Sequence, residues 1–304
     1  MKLLFIADEF KLRTPVQQLL DRFIMGYPFD GSFHRPDCEI VLVTPQSNTD
    51  VERRIKDFGL RQQSELPNGD GALIFGPSQS SSAPRRFVYG VSAKDLAGTA
   101  IRGAWLLPNI FVSENTRLAK ALAIVQGEFP SAEMEALDVL MPLIWRKDAA
   151  IRSVVTLGAT EFWPALLREF WPLVKSALSR SDSPQGDAVR DGRTQDLVGL
   201  GLLENLVKSP RGWLVEHEDG IRYVIAVMDG AVADYNVALQ TRAGGILSAQ
   251  IHRGPPPGEH HYDPLAAMLE RYFRTGEPPW PPEQSVLSAE LMRRFYAVYG
   301  ERKR

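Results

Sequence analysis

The sequence is short of several things, and each shortage excludes something. It has one cysteine, Cys38, in 304 residues. No internal disulfide can form, and a reducing compartment suits the chain. No apolar run approaches the roughly 20 residues of a membrane-spanning helix. Neither sign of charge dominates: 35 basic residues against 37 acidic ones leave a net charge of −2. Such a balance provides no field for nucleic acid or an anionic membrane, so neither is expected as a partner. Histidines number only 5. His260 and His261 are adjacent, with His252 nearby, but neighbours on an extended chain point to opposite faces. No metal site is expected from them. The opening run Met1 to Ala7 resembles an export signal, yet Asp8, Glu9 and Lys11 cut it too early for an h-region. A cytoplasmic protein is expected. There is no internal repeat.

What is present fits a folded protein. Hydrophobic residues make up 44% and charged residues 24%, and the length suits two domains rather than one core. Leu3 to Ala7 is a short apolar run, as in a buried parallel strand. Thr14-Pro15 then opens a helical pattern through Val16, Leu19, Leu20, Phe23 and Ile24. Glu39 to Val43 is a second strand, followed by a helix from about Asp50 to Phe58 that stops at Gly59. Ala72 to Phe75, Arg86 to Tyr89 and Asn109 to Val112 complete a series of strands. Strands separated by helical stretches predict a parallel, Rossmann-like sheet over residues 1–120.

Residues 121–304 have a different texture. Ser131 to Arg146 reads as a helix kinked at Pro142, Ile151 to Leu157 as a strand, and Glu161 to Arg180 as an aromatic helix. Pro172 should bend or interrupt that last helix, and Trp163 and Trp171 on one face of it read as core. Trp105, Trp145 and Trp280 are also read as packing. Ser181 to Thr194 reads as a polar loop. Trp213 to His217 and Arg222 to Met228, joined at Asp219-Gly220, predict a hairpin. Tyr235 to Thr241 and Leu247 to His252 repeat the pattern around Ala243-Gly244-Gly245. Helices follow over about Asp263 to Arg274 and Glu283 to Tyr299. The second domain is therefore expected to be α+β with a mainly antiparallel sheet. Its alternation places Tyr223, Ile225, Val227, Tyr235, Val237 and Leu239 on single faces. One sheet face should cover the domain's own helices, and the other, if apolar, should need a second copy of the chain.

This layout resembles the Gfo/Idh/MocA oxidoreductases, and local sequence supports the resemblance. Asp70-Gly71-Ala72-Leu73-Ile74-Phe75-Gly76-Pro77-Ser78 is similar to that family's fourth strand. Ala93-Lys94-Asp95-Leu96-Ala97 looks like a worn Glu-Lys-Pro-Leu-Ala motif. Ser131 to Leu143 resembles the helix that carries the family's acids and histidine, with Asp138 on its last acid. The tail from Tyr262 to Arg294, with Arg274-Thr275-Gly276-Glu277-Pro278-Pro279, resembles the family's closing helices and the turn between them. The resemblance implies sugar chemistry, NAD(P) as cofactor, a site between the domains, and self-association through the second domain's sheet.

The departures from the pattern bear on each implication. Family members carry Gly-x-Gly-x-x-Gly after the first strand, where glycines let the backbone approach a diphosphate. Here Asp8-Glu9-Phe10-Lys11-Leu12-Arg13 stands instead, with no glycine and with carboxylates that repel phosphate. NAD(P) is therefore disfavoured, and the cofactor is left unassigned. After the second strand, where an acid or a base commonly reads the ribose, the chain has Thr44-Pro45-Gln46. In the helix from Ser131, Glu135 falls at the histidine position, and an unperturbed glutamate is a weaker base near pH 7.

On the resemblance, Lys94 and Glu135 are the candidate catalytic residues: Lys94 as a donor to a sugar hydroxyl or carbonyl, Glu135 as a general base. The alternative for each is a solvated polar residue of a helix. Glu114, Asn115 and Arg117 follow a strand at the sheet's carboxyl edge and are candidate ligands for a sugar-like molecule; for Arg117 a surface ion pair is the alternative. Cys38 reads as an inert buried thiol. Two functions stay open: an oxidoreductase or related sugar enzyme, and a non-catalytic binding or assembly protein that has lost NAD(P).

Overall fold

The computed structural model describes residues 1–45, 47–76, 81–89, 100–102, 118–145, 150–181, 202–232, 234–251 and 262–302. Two compact units divide the chain: Met1–Leu106 with Arg253–Ala289, and Leu107–His252 with Glu290–Arg304.

The first unit is built on parallel strands β1 (Lys2–Ala7), β4 (Glu39–Val43), β5 (Arg61–Gln63), β6 (Gly71–Phe75), β7 (Arg85–Tyr89) and β8 (Ala100–Arg102), in the order β5-β4-β1-β6-β7-β8. Reading outward from β1 in both directions, this is the doubly wound order of a Rossmann sheet, with its reversal between β1 and β6. The central strands are buried on both faces, which is why they read as unbroken apolar runs. Helix α1 (Pro15–Met25) has Pro15 in its first turn, as expected. The Thr14 hydroxyl does not cap it but donates to the Lys11 carbonyl at 2.5 Å. Helix α2 (Thr49–Phe58) starts on Asn48, whose side chain accepts from the backbone N–H groups of Asp50 and Val51, and ends on Gly59 at φ +67°.

A small hairpin, β2 (Tyr27–Phe29) and β3 (Ser32–His34), follows α1. Asp30 and Gly31 both have positive φ, as a two-residue hairpin turn requires. The sequence reading did not anticipate it, nor the short polar strand β5. The expected strand Asn109 to Val112 lies outside the described residues.

The second unit holds a mixed sheet of β9 (Leu118–Val125), β10 (Ile151–Leu157), β11 (Arg211–His217), β12 (Arg222–Val227), β13 (Tyr235–Thr241) and β14 (Ile246–Ile251), ordered β10-β11-β12-β9-β13-β14. Only β9 and β12 pair in parallel; the other neighbours are antiparallel. Both expected hairpins form, with Gly220 and Gly244 at positive φ. Helix α3 (Ser131–Ile144) contains Pro142. The aromatic helix is split as Pro172 predicts, into α4 (Ala159–Ala165), a π-helical turn at Leu166–Phe170, and α5 (Trp171–Leu178). Trp163 is buried and Trp171 packs on the same cluster.

One expectation is corrected here: the closing helix α7 (Asp263–Thr275), which follows the short α6 (Leu202–Leu206), belongs by sequence order with 121–304 but packs into the first unit. Leu265, Leu269, Tyr272 and Phe273 join the cluster of Leu3, Phe5, Leu19 and Phe23. Arg22 and Asp263 pair across it at 2.5 Å with both side chains buried. Chain order does not limit which core an amphipathic helix joins. The sheet face expected to need a second copy, if apolar, is covered within the unit. Register places Trp213 beside Ile225, Ile225 beside Ala123, and Ala123 beside Val237. Trp213 donates its indole N–H to Glu133 on α3, so α3 covers this face, while α4 and α5 cover the face of Leu122, Ile124, Val224 and Ala238. Tyr223, Ile225, Val227, Tyr235, Val237 and Leu239 are all buried within the chain. The unit supplies helices for both faces of its sheet, so that apolar alternation needs no partner to explain it.

Candidate functional site

Doubly wound sheets bind ligands outside the carboxyl ends of their strands, at the reversal of strand order. In the first unit the described part of that edge is formed by the residues after β1, β4 and β6. The turn from β1 into α1 is packed and internally bonded. Phe10 is 1% exposed and belongs to the hydrophobic core, with the Arg54 guanidinium carbon 5.1 Å from the centre of its ring. Arg54 is held there by Asp21, through bonds of 2.6 Å from Nε and Nη2. That paired carboxylate raises the Arg54 pKa, against a smaller opposing effect of burial. The Phe10 carbonyl accepts a 2.6 Å bond from Asn48 Nδ2. The Arg13 N–H donates to Gln17 Oε1 at 2.7 Å, and Arg13 itself has φ +62°. Glu9 and Lys11 pair at 2.6 Å on the surface.

Across the strand reversal, Gly76 follows β6 with φ +119°, and a Cβ on it would lie 2.4 Å from Asp8 Oδ2. The Asp8 carboxylate therefore rests directly on the Gly76 backbone, which explains the glycine. A dinucleotide's diphosphate requires a turn whose backbone it can approach. Here that turn presents a carboxylate and a buried phenyl ring, and these residues do not fit the group.

Of the sequence-predicted site residues, Lys94, Glu114, Asn115 and Arg117 lie outside the described residues. Glu135 is on α3 in the second unit, half-buried and engaged in a polar interaction. The deeply buried carboxylate of α3 is Glu133, which sequence reasoning missed. It is 0% exposed, accepts from Arg211 Nε at 2.5 Å and from Trp213 Nε1 at 3.2 Å, and leaves Oε2 without a hydrogen-bond partner. Arg211 also donates to the Gly127 carbonyl at 2.8 Å. Its available signal was an acid in the first turn of a helix. Asp138, the last acid of the resembled motif, is buried too, and also engaged.

A cleft of about 560 Å³ opens at the opposite, amino edge of the parallel sheet, lined by Asp37, Asp70, Arg85, Glu270 and Arg274 among others. Its cations are committed: Arg85 donates to the last carbonyls of α7, and Arg274 pairs with Glu270. Glu270 also accepts from the Tyr27 hydroxyl at 2.8 Å. Burial, then that acceptor, pushes the Tyr27 pKa well above its ordinary value. Cys38 has its thiol pushed up to about 11, by burial first and then by Glu270. Among the described residues, no cluster of acids, histidines and cysteines could hold a metal ion, and no helix is long and apolar enough to cross a membrane.

No protein-family model and no curated protein sequence matches the chain. Solved structures do match its fold. A myo-inositol dehydrogenase from Corynebacterium glutamicum superposes with a TM-score of 0.54 at 11% identity, over 96% of this chain and 94% of that one. A scyllo-inositol dehydrogenase from Lactobacillus casei gives 0.55 at 9% identity, over 95% and 93%. GenD2 from gentamicin A biosynthesis, solved in complex with NAD, gives 0.55 at 12%, over 96% and 92%. At these identities the likeness is one of fold. The chain shares the fold of these dehydrogenase structures over nearly its whole length, the fold that the sequence resemblance implied.

Proposed function

We propose, from that shared architecture, that the chain handles a small polyhydroxylated molecule, a sugar or a sugar-derived polyol or acid, as a divergent relative of those oxidoreductases. The observation that carries this reading is the match to inositol dehydrogenases over nearly the whole length of both chains. Chemistry supports the same class. Lys94 and Arg117 supply cations, Asn115 an amide, and Glu114 and Glu135 carboxylates. Such groups suit hydroxyls and carboxylates rather than apolar ligands. In this reading Lys94 holds a hydroxyl, Glu135 accepts a proton, and Glu114, Asn115 and Arg117 orient the ring.

The experiment is calorimetry and thermal shift of the full chain with myo-inositol, scyllo-inositol and a hexuronic acid. Saturable binding of at least one, lost in Lys94→Ala and Glu135→Gln without a fall in melting temperature, is the expected result. If no polyol binds, or if both variants bind normally, the reading fails.

A second reading is favoured by the packed turn at Asp8 to Arg13: a binding or assembly protein that kept the fold without the reaction. It predicts polyol binding with no oxidation of the bound polyol when NAD or NADP is supplied. Self-association belongs to either reading. A dimer through the α3-covered sheet face would require α3 to move, so light scattering should be paired with variants elsewhere on the surface.

A further inference from the structure

In a doubly wound sheet of this strand order, a dinucleotide lies across the carboxyl edge. Its diphosphate sits on the turn after the first strand, and its adenosine ribose near the end of the adjacent strand, here β4. The chain closes that path at both places with its own groups. Asn48, in the segment after β4, donates Nδ2 to the Phe10 carbonyl in the turn after β1 at 2.6 Å, while its Oδ1 caps α2. One side chain thus ties together the two loops between which the adenosine half would pass. At the strand reversal, the Asp8 carboxylate lies against Gly76, so the ends of β1 and β6 meet where the crevice would open. Phe10 fills the core beneath the turn, under Arg54.

We infer that the turn from β1 to α1 is a structural clasp that rejects dinucleotides. Whatever the chain binds, it binds without NAD or NADP in the Rossmann position. Sterics and electrostatics act in the same direction. Admitting a diphosphate requires Phe10 to leave the core and the Asn48 bond to break. The Asp8 carboxylate on the Gly76 backbone stands where a diphosphate would have to approach the turn, and like charges repel. Lys11 is already paired with Glu9. This inference does not depend on the polyol reading.

The test is fluorescence titration of the full chain with NADH and NADPH, and calorimetry with inorganic pyrophosphate. No saturable binding below the millimolar range is expected for any of them. Micromolar binding that falls tenfold or more in the Lys11→Glu, Arg13→Glu double variant would overturn the inference. Micromolar nucleotide binding indifferent to those changes supports it, because the nucleotide then sits away from the turn. Polyol titrations on the same preparation keep the two ideas separable, since either result can be obtained without the other.

Discussion

Arg211→Ala should be among the most damaging substitutions in the second unit, and its cost follows from where the partner is left. Glu133 is 0% exposed and already has one carboxylate oxygen without a hydrogen bond. Removing Arg211 takes away its counter-charge and leaves it the Trp213 indole N–H as a donor. An uncompensated buried charge of this kind costs about 3–5 kcal/mol. Glu133→Gln is the informative contrast. Glutamine keeps an oxygen for Trp213, and the stranded cation is the less buried partner, with 18% of its side chain exposed and a second bond to the Gly127 carbonyl. About 1–2 kcal/mol is expected, near the cost of a single hydrogen bond. Replacing both partners with apolar residues, Glu133→Leu with Arg211→Met, should cost less than Arg211→Ala alone, because no charge is then buried. Urea denaturation followed by tryptophan fluorescence reads the order directly, since Trp213 is part of the site. If Arg211→Ala is no more damaging than Glu133→Gln, Glu133 is not carrying a buried charge, and the electrostatic account of how α3 is held on its sheet is wrong.

Other predictions address the first unit and the closing helix. Asn48→Ala should destabilise by about 1–3 kcal/mol, from loss of a helix cap and of the Phe10 bond. Asn48→Asp, which keeps only the cap, should cost less but still measurably; no loss at all in thermal unfolding would show that the Phe10 bond holds nothing together. Gly76→Ala should cost about 1–3 kcal/mol through its positive φ and the Asp8 contact. Adding Asp8→Gly should recover part of that loss but not all of it, and simple additivity in a double-mutant cycle would mean the two do not touch. Glu290, in the C-terminal helix α8 (Pro282–Arg302), is held at about 2 by its bonds to Arg293 and Arg294. A folded pKa below the unfolded value of about 4.5 contributes stability that is present above pH 4.5 and lost as pH falls towards 2. That acid-side loss should be smaller in Glu290→Gln. With its thiol raised to about 11 from 9.0, Cys38 should alkylate roughly a hundredfold more slowly at pH 8 than an exposed cysteine, and at the ordinary rate in denaturant.

Where local chemistry decides conformation, the sequence was sufficient. The apolar runs of β1, β4, β6 and β7, Pro15 at the start of α1, Gly59 after α2, and Asp219-Gly220 and Gly244 in their turns each act through the backbone of a few neighbouring residues. The Asp30-Gly31 hairpin carries the same local signal, two residues at positive φ. Strand β5 carried none, because a polar edge strand is made by its neighbour β4 and not by its own pattern. The closed turn was half legible. Missing glycines and added acids were visible in Asp8 to Arg13, but the roles of Phe10, Asn48 and Gly76 were not, since each acts on a residue from another strand end.

Tertiary structure alone decided the rest. Helix α7 joined the first core through Phe273 and the Arg22–Asp263 pair, a contact between residues 241 apart in sequence. Helix α3 covered the sheet face that alternation had left open. Glu133, rather than Glu135, became the buried acid. Periodicity along a chain states which side of an element is apolar, but it does not name the surface that will cover it. That choice is made by the lowest free energy over all the faces competing for burial.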